Sequence, residues 1–198
     1  MEERRDLLGE LEGEDELAGW ETTYRTWKLG FTPEKDEPRI FPVNASRLPW
    51  EPNPRGEVES DFRGTPEEFK TSSQGLYSLR SLDELRGSYG HEGVTGALIP
   101  FGTVEKGSRG IRSTHARIKH FYVGTPGLGC SICREPAKMV VYQKGDRDII
   151  LCDTCRKNMD KVLDNIVRKG GVIEEYSMED LLEKLAEIYE TNLEKWPY

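Results

Sequence analysis

Apolar positions change period along this chain, and each change marks an element. From Trp20 to Arg86 short apolar runs alternate with Pro, Gly, Asn and acidic clusters. Tyr24-Arg25-Thr26-Trp27-Lys28-Leu29 repeats with period two, which predicts a strand, and Arg39-Ile40-Phe41-Pro42-Val43 predicts a second extended piece. Residues 49–68 are rich in Pro, Gly and Glu and read as a long loop, whereas Ser81-Leu82-Asp83-Glu84-Leu85 reads as one helical turn. Residues 93–104 and 111–123 predict two long β segments joined by a turn over Glu105–Gly110. Their glycines suit a strongly bent sheet or barrel, where bulges and corners need residues without a Cβ.

Beyond Gly124-Thr125-Pro126-Gly127-Leu128-Gly129, a glycine-rich hinge, the pattern resets. Lys138-Met139-Val140-Val141-Tyr142 and Ile149-Ile150-Leu151 are β-prone and flank turn chemistry over residues 143–148, so they predict a hairpin. From about Asp153 the period becomes helical, with Met159, Val162, Leu163, Ile166 and Val167 on one stripe. Arg168 and Lys169 place positive charge at that helix's negative end, and Gly170-Gly171 stops it. Residues 172–198 predict a strand and an amphipathic helix. Ser177 is its N-cap, with Asp180 at the third helical position. Leu181, Leu182, Leu185, Ile188 and Tyr189 form its apolar stripe, extended by Leu193 and Trp196, opposite Glu183, Lys184, Glu187, Glu190 and Glu194. The stripe either packs on the chain's own core or, as a docking surface, presents Leu181, Leu185, Ile188, Tyr189 and Trp196 to a partner or a second copy.

The four cysteines form two CxxC pairs, Cys130/Cys133 and Cys152/Cys155, separated by residues 134–151. Each pair offers two thiolates, and the spacer is long enough to return as a hairpin, so the spacing predicts one tetrahedral zinc site per chain. Two disulfides would require an oxidising compartment. Four thiolates also suit an iron–sulfur cluster, although ferredoxin-type spacings differ, and a redox CxxC is a further alternative. Knuckle, hairpin, then a helix carrying the last two ligands resembles the treble-clef zinc modules over residues 128–169, about a fifth of the chain. That resemblance implies a fold and a metal, while treble clefs serve nucleic-acid binding, protein binding and scaffolding alike.

Charge is distributed unevenly. The chain of 198 residues has a net charge of −8, and residues 1–100 and 171–198 are acidic while residues 101–170 are basic. Lys106, Arg109, Arg112, Arg117, Lys119 and His120 cluster within fifteen residues, and Arg156, Lys157, Lys161, Arg168 and Lys169 follow on the helix. Such cations, with Phe121 and Tyr122 available for stacking, are the candidate nucleic-acid interface. The competing reading pairs them with the acidic ends of the chain. Residues 1–19 read as an acidic leader without a signal peptide, and no apolar run approaches a membrane span, so a cytoplasmic protein is expected.

Trp20 to Trp27, residues 75–82, Gly102-Thr103-Val104 and Gly110-Ile111-Arg112-Ser113 resemble a pattern in short uncharacterised proteins of actinobacteria and their phages. Ser73 and Gln74 stand before Gly75 where those proteins carry a cysteine. This resemblance implies a coherent domain over residues 20–123, brings no assigned activity, and would place a viral chain in its host's cytoplasm. Of the histidines, His91 lies in a glycine-rich turn, and His115 and His120 fall on opposite strand faces, so no catalytic constellation is visible. The expected architecture is α+β: a small β-rich N-terminal sheet or barrel, then a treble-clef zinc module, then the C-terminal amphipathic helix. The expected function is non-enzymatic binding of another protein (adaptor, inhibitor or assembly factor) or homodimerisation. Nucleic-acid binding is the alternative, and an enzyme with an unrecognised site comes third.

Overall fold

The computed structural model describes residues 21–32, 37–43, 48–89, 93–124, 129–143 and 148–198. The expected leader, Trp20, His91 and the middle of the hinge, 125–128, lie outside them, as does most of the hairpin turn, 144–147. The described architecture is α+β and mostly strands.

The longest strand, β6 (Gly110–Val123), organises the first sheet. One edge carries β5 (Val94–Lys106) along its length. The other edge is shared in turn by β4 (Leu76–Leu79), β3 (Glu57–Glu59) and β10 (Asn192–Lys195). Strand β1 (Thr23–Phe31) pairs with β5 through Thr23–Trp27 and with β2 (Pro38–Pro42) through Trp27–Phe31. A single pair, Tyr24↔Leu79, ties β1 to β4 and closes a ring β1-β5-β6-β4. The bend comes from bulges in the β5–β6 ladder, one of them between Phe101 and Val104. Gly102 sits there at φ +75°, and a Cβ at that position would stand 2.4 Å from Thr114 Oγ1, so only glycine fits.

The interior of this ring is aromatic. Trp27 is fully buried, meeting Trp50 edge-on at 5.6 Å and Phe121 at 5.9 Å. A second sheet has the order β8-β7-β9, with β7 (Met139–Gln143) between β8 (Asp148–Leu151) and β9 (Ile173–Ser177). The two sheets share one hydrophobic cluster. Val140 and Tyr142 of β7 belong to it with Trp27, Leu98 and Phe121, and Phe31 stacks on Tyr142 at 4.5 Å and on Tyr176 at 5.1 Å. Apolar packing therefore runs across the hinge at which a boundary was expected.

Three local expectations are corrected. The stretch read as a loop contains β3 and helix α1 (Pro66–Thr71), whose N-terminus is a capping box: Thr65 accepts from the Glu68 N–H and Glu68 accepts from the Thr65 N–H. Pro66 sits in the first turn, where its missing donor costs nothing, so the prolines and glutamates that suggested a loop are start signals. The single turn at residue 81 is helix α2 (Leu82–Tyr89). The helix after Cys152 is two pieces, α3 (Asp153–Asn158) and α4 (Asp160–Arg168), interrupted at Met159.

Helix α5 (Met178–Ile188) is capped by Ser177, whose hydroxyl accepts from the Asp180 N–H at 3.0 Å, as its sequence predicts. Its stripe does not continue to Leu193 and Trp196 on a helix. Glu190 turns at φ +47°, and the chain then runs as β10, parallel to β6. Gly56, at φ +70°, gives close passage beside the end of α5, since a Cβ there would stand 2.2 Å from the Tyr189 carbonyl oxygen.

Candidate functional site

Four cysteines converge where the second sheet meets α3. A tight turn after Gly129 holds the first pair: Arg134 N–H donates to the Cys130 carbonyl at 3.0 Å and Cys130 N–H to Glu135 at 2.7 Å. Strand β8 delivers the second pair, ending at Leu151 so that Cys152 is the N-cap of α3 and Cys155 lies in its first turn. All four Sγ atoms lie within 4.8 Å of one another, with Cys133–Cys155 at 3.5 Å and Cys133–Cys152 at 3.6 Å. Four thiolates at about 2.3 Å from a common tetrahedral centre sit about 3.8 Å apart, so the cluster can hold one metal ion of zinc's size and softness.

The electrostatics favour ionised sulfur at one corner and resist it at another. Burial pushes the Cys130 thiol up, but the N–H groups of Cys133, Cys152 and Ile132 outweigh it and bring its pKa down to about 6. Cys155, beside the Cys133 sulfur and partly desolvated, is pushed up to about 12. A cation at the centre removes that conflict, because it favours all four thiolates together. Cys130, Cys152 and Cys155 are buried with Val141, Leu151 and Leu163, and Cys133 is exposed.

The expected phosphate-reading residues are largely engaged inside the molecule. Arg112 is 7% exposed, and its guanidinium lies over the Phe69 ring at 4.4 Å. It donates to the carbonyls of Phe69 (2.6 Å), Gln74 (3.3 Å), Lys70 (3.4 Å) and Ser72, and pairs with Glu105. Arg117 pairs with Glu57 at 3.2 Å, Lys106 with Glu21 at 3.3 Å, and Arg109 approaches Glu84 at 3.8 Å. His120 is buried. Its Nδ1 lies 3.0 Å from Glu194 without the alignment of a hydrogen bond, and desolvation holds its pKa below the ordinary histidine range against the pull of that carboxylate. Lys119 is exposed. The partners are thus mostly glutamates of the first sheet and its flanks; Glu194, expected on the C-terminal helix, meets His120 from β10, and the acidic leader lies outside the described residues.

The expected docking stripe is inside the protein as well. Leu181, Leu185 and Tyr189 are fully buried in the shared core, Ile188 packs against it, and Trp196 meets Tyr122 edge-on at 5.2 Å. Tyr189 also donates its hydroxyl to the Trp50 carbonyl and accepts from the Ile40 N–H at 3.4 Å, which fixes α5 against β2. These side chains close the core, with Ile188 partly exposed at its edge.

Sequence reasoning missed an open groove of about 1080 Å³ beside the ring. One wall is β1 at Tyr24–Thr26, the other is β4, and Leu48, Trp50 and Leu85 add apolar surface. Its residues come from stretches dispersed over residues 24–112, so no local pattern signals it. Among the described residues no helix is long and apolar enough to cross a membrane. No protein-family model, curated protein or solved structure matches the chain.

Proposed function

We propose that the chain is a non-enzymatic binding protein, stabilised by one zinc ion on Cys130, Cys133, Cys152 and Cys155, that engages another protein. The thiolate-only donor set supports zinc, and the order knuckle, hairpin, helix supports a treble-clef module over residues 128–169. All four thiols are free, which suits a reducing compartment and hence the cytoplasm. The single observation that carries the protein-binding reading is the groove: it is open and partly apolar, while the central cation of the basic segment, Arg112, is buried under five internal acceptors.

Nucleic acid is the second reading, and one observation favours it: Lys157, Lys161, Arg168 and Lys169 are exposed along α3 and α4. Anisotropy titration with short DNA and RNA at about 0.15 M salt separates the two. The protein-binding reading expects no saturable signal, together with capture of a protein partner that survives raised salt. Tight binding that weakens steeply with salt, and is lost on replacing Lys161 and Arg168 by glutamate, overturns it.

A further inference from the structure

Strands β1 and β4 touch at Tyr24↔Leu79 and then part, because the rest of β1 leaves to pair with β2. The backbone of β4 beyond that point faces the groove. In an antiparallel strand the N–H and C=O of one residue point to the same side, and these sides alternate. The Tyr77 carbonyl points away from β6, since it accepts from the Arg25 guanidinium, so the Tyr77 N–H points into the groove too. Arg25 itself lies over the Trp50 ring at 4.6 Å. A side chain stands where a neighbouring strand would.

From this geometry we propose that the groove takes an extended peptide segment of the partner, added to β4 as an antiparallel strand in place of the Arg25 contact. The proposal rests on the protein-binding reading and specifies its ligand. Leu76 and Ser78 are buried while Tyr77 is 48% exposed, so alternate peptide side chains enter the floor beside Leu76 and Trp50 and the others lie out beside Tyr77. The ends differ in charge. Lys106 and Arg109 flank the Leu79 end, because Leu79 pairs with Gly110, and an acidic peptide residue there takes over from Glu21 and Glu84, which they meet in the free chain. Glu59 and Asp61 flank the opposite end, because Leu76 pairs with Ser113 while Ser60 bonds the adjoining Thr114 carbonyl at 2.8 Å. An antiparallel peptide therefore enters with an acidic residue first and leaves with a basic one. Beyond the Tyr24↔Leu79 pair, Leu76–Ser78 leave about 10 Å of β4 edge, the reach of a short peptide.

The test is a fluorescein-labelled hexapeptide library with Asp or Glu first, apolar residues second and fourth, Ser or Thr third and fifth, and Lys or Arg last, titrated onto the intact zinc-loaded chain. Selected members are expected to saturate, to weaken at least about tenfold when the amides facing β4 are N-methylated, and to weaken likewise when the charged ends are exchanged. Tyr77→Pro deletes the donor without touching the β6 ladder and is expected to abolish binding, Tyr77→Phe to keep it, and Arg25→Ala to tighten it severalfold. If Tyr77→Pro loses its zinc or its folding transition, the N-methylated peptides decide alone. Absence of binding across the library, or binding indifferent to N-methylation, overturns the proposal. A partner protein still captured in that case leaves the protein-binding reading standing, whereas salt-sensitive nucleic-acid binding with no protein partner removes both.

Discussion

Replacing Arg112 by methionine should destabilise the chain by about 3–5 kcal/mol. The substitution keeps a long apolar stem over Phe69 and removes the charge and every donor. Four carbonyls of the segment from Phe69 to Gln74 then lose a shared partner, and Glu105 loses its cation. Hydrogen bonds to a charged group contribute about 1.5–3 kcal/mol each in isolation, but these share one guanidinium and several carbonyls regain water, so they do not add. Breaking a buried pair by deleting one partner costs about 3–5 kcal/mol, and with Arg112 buried but Glu105 31% exposed the lower end of that range is the better guide. Urea unfolding of the zinc-loaded protein reads the change as a lower midpoint at unchanged slope. Hydrogen exchange should show the loss concentrated at α1 and β4, the elements Arg112 joins. A loss under about 1 kcal/mol would mean that Arg112 is as dispensable to the fold as an exposed phosphate-reading cation, and the reasoning would be refuted.

Other outcomes follow from the same geometry. Cys152→Ser removes one thiolate while keeping a side-chain acceptor at the N-cap of α3, so zinc content should fall and hydrogen-exchange protection should be lost first around β8 and α3 through the metal alone; zinc retained at one per chain would contradict the assigned ligands. Tyr189→Phe should cost about 1–3 kcal/mol, because the buried Trp50 carbonyl and Ile40 N–H lose their partner; an unchanged unfolding midpoint would contradict the latch. His120 and His115 are both held below the ordinary histidine pKa, mainly by desolvation, so the unfolded chain binds protons first as pH falls. Stability should therefore decline below about pH 6.5, and His120→Gln should flatten that decline; a steeper decline would reverse the sign of the argument.

Much of the fold was legible because periodicity reports burial. The runs at Tyr24–Leu29 and Ile149–Leu151 lie in strands, as does Lys138–Tyr142 from Met139 onward, and Ser177 caps a helix where expected. The cysteine spacing anticipated the cluster for a simpler reason: two short knuckles and a returning hairpin leave little freedom in where four sulfurs meet. Elements defined by long-range contact were not legible. Strand β10 exists because Asn192–Lys195 finds the free end of β6, and its Leu193 fits a helical stripe equally well on paper. Helix α1 was hidden by prolines and glutamates that read as a loop until Thr65 and Glu68 are recognised as reciprocal caps. The fate of Arg112 was illegible in kind, since composition counts a cation without showing that carbonyls forty residues away surround it.

Native mass spectrometry of the purified chain tests the central claim most directly, because metal, thiol state and retained nucleic acid are read on one particle. The account predicts the chain mass plus one zinc ion, four reduced cysteines and no bound nucleic acid. A metal-free chain with two disulfides, or a chain retaining oligonucleotide at about 0.15 M salt, would contradict it.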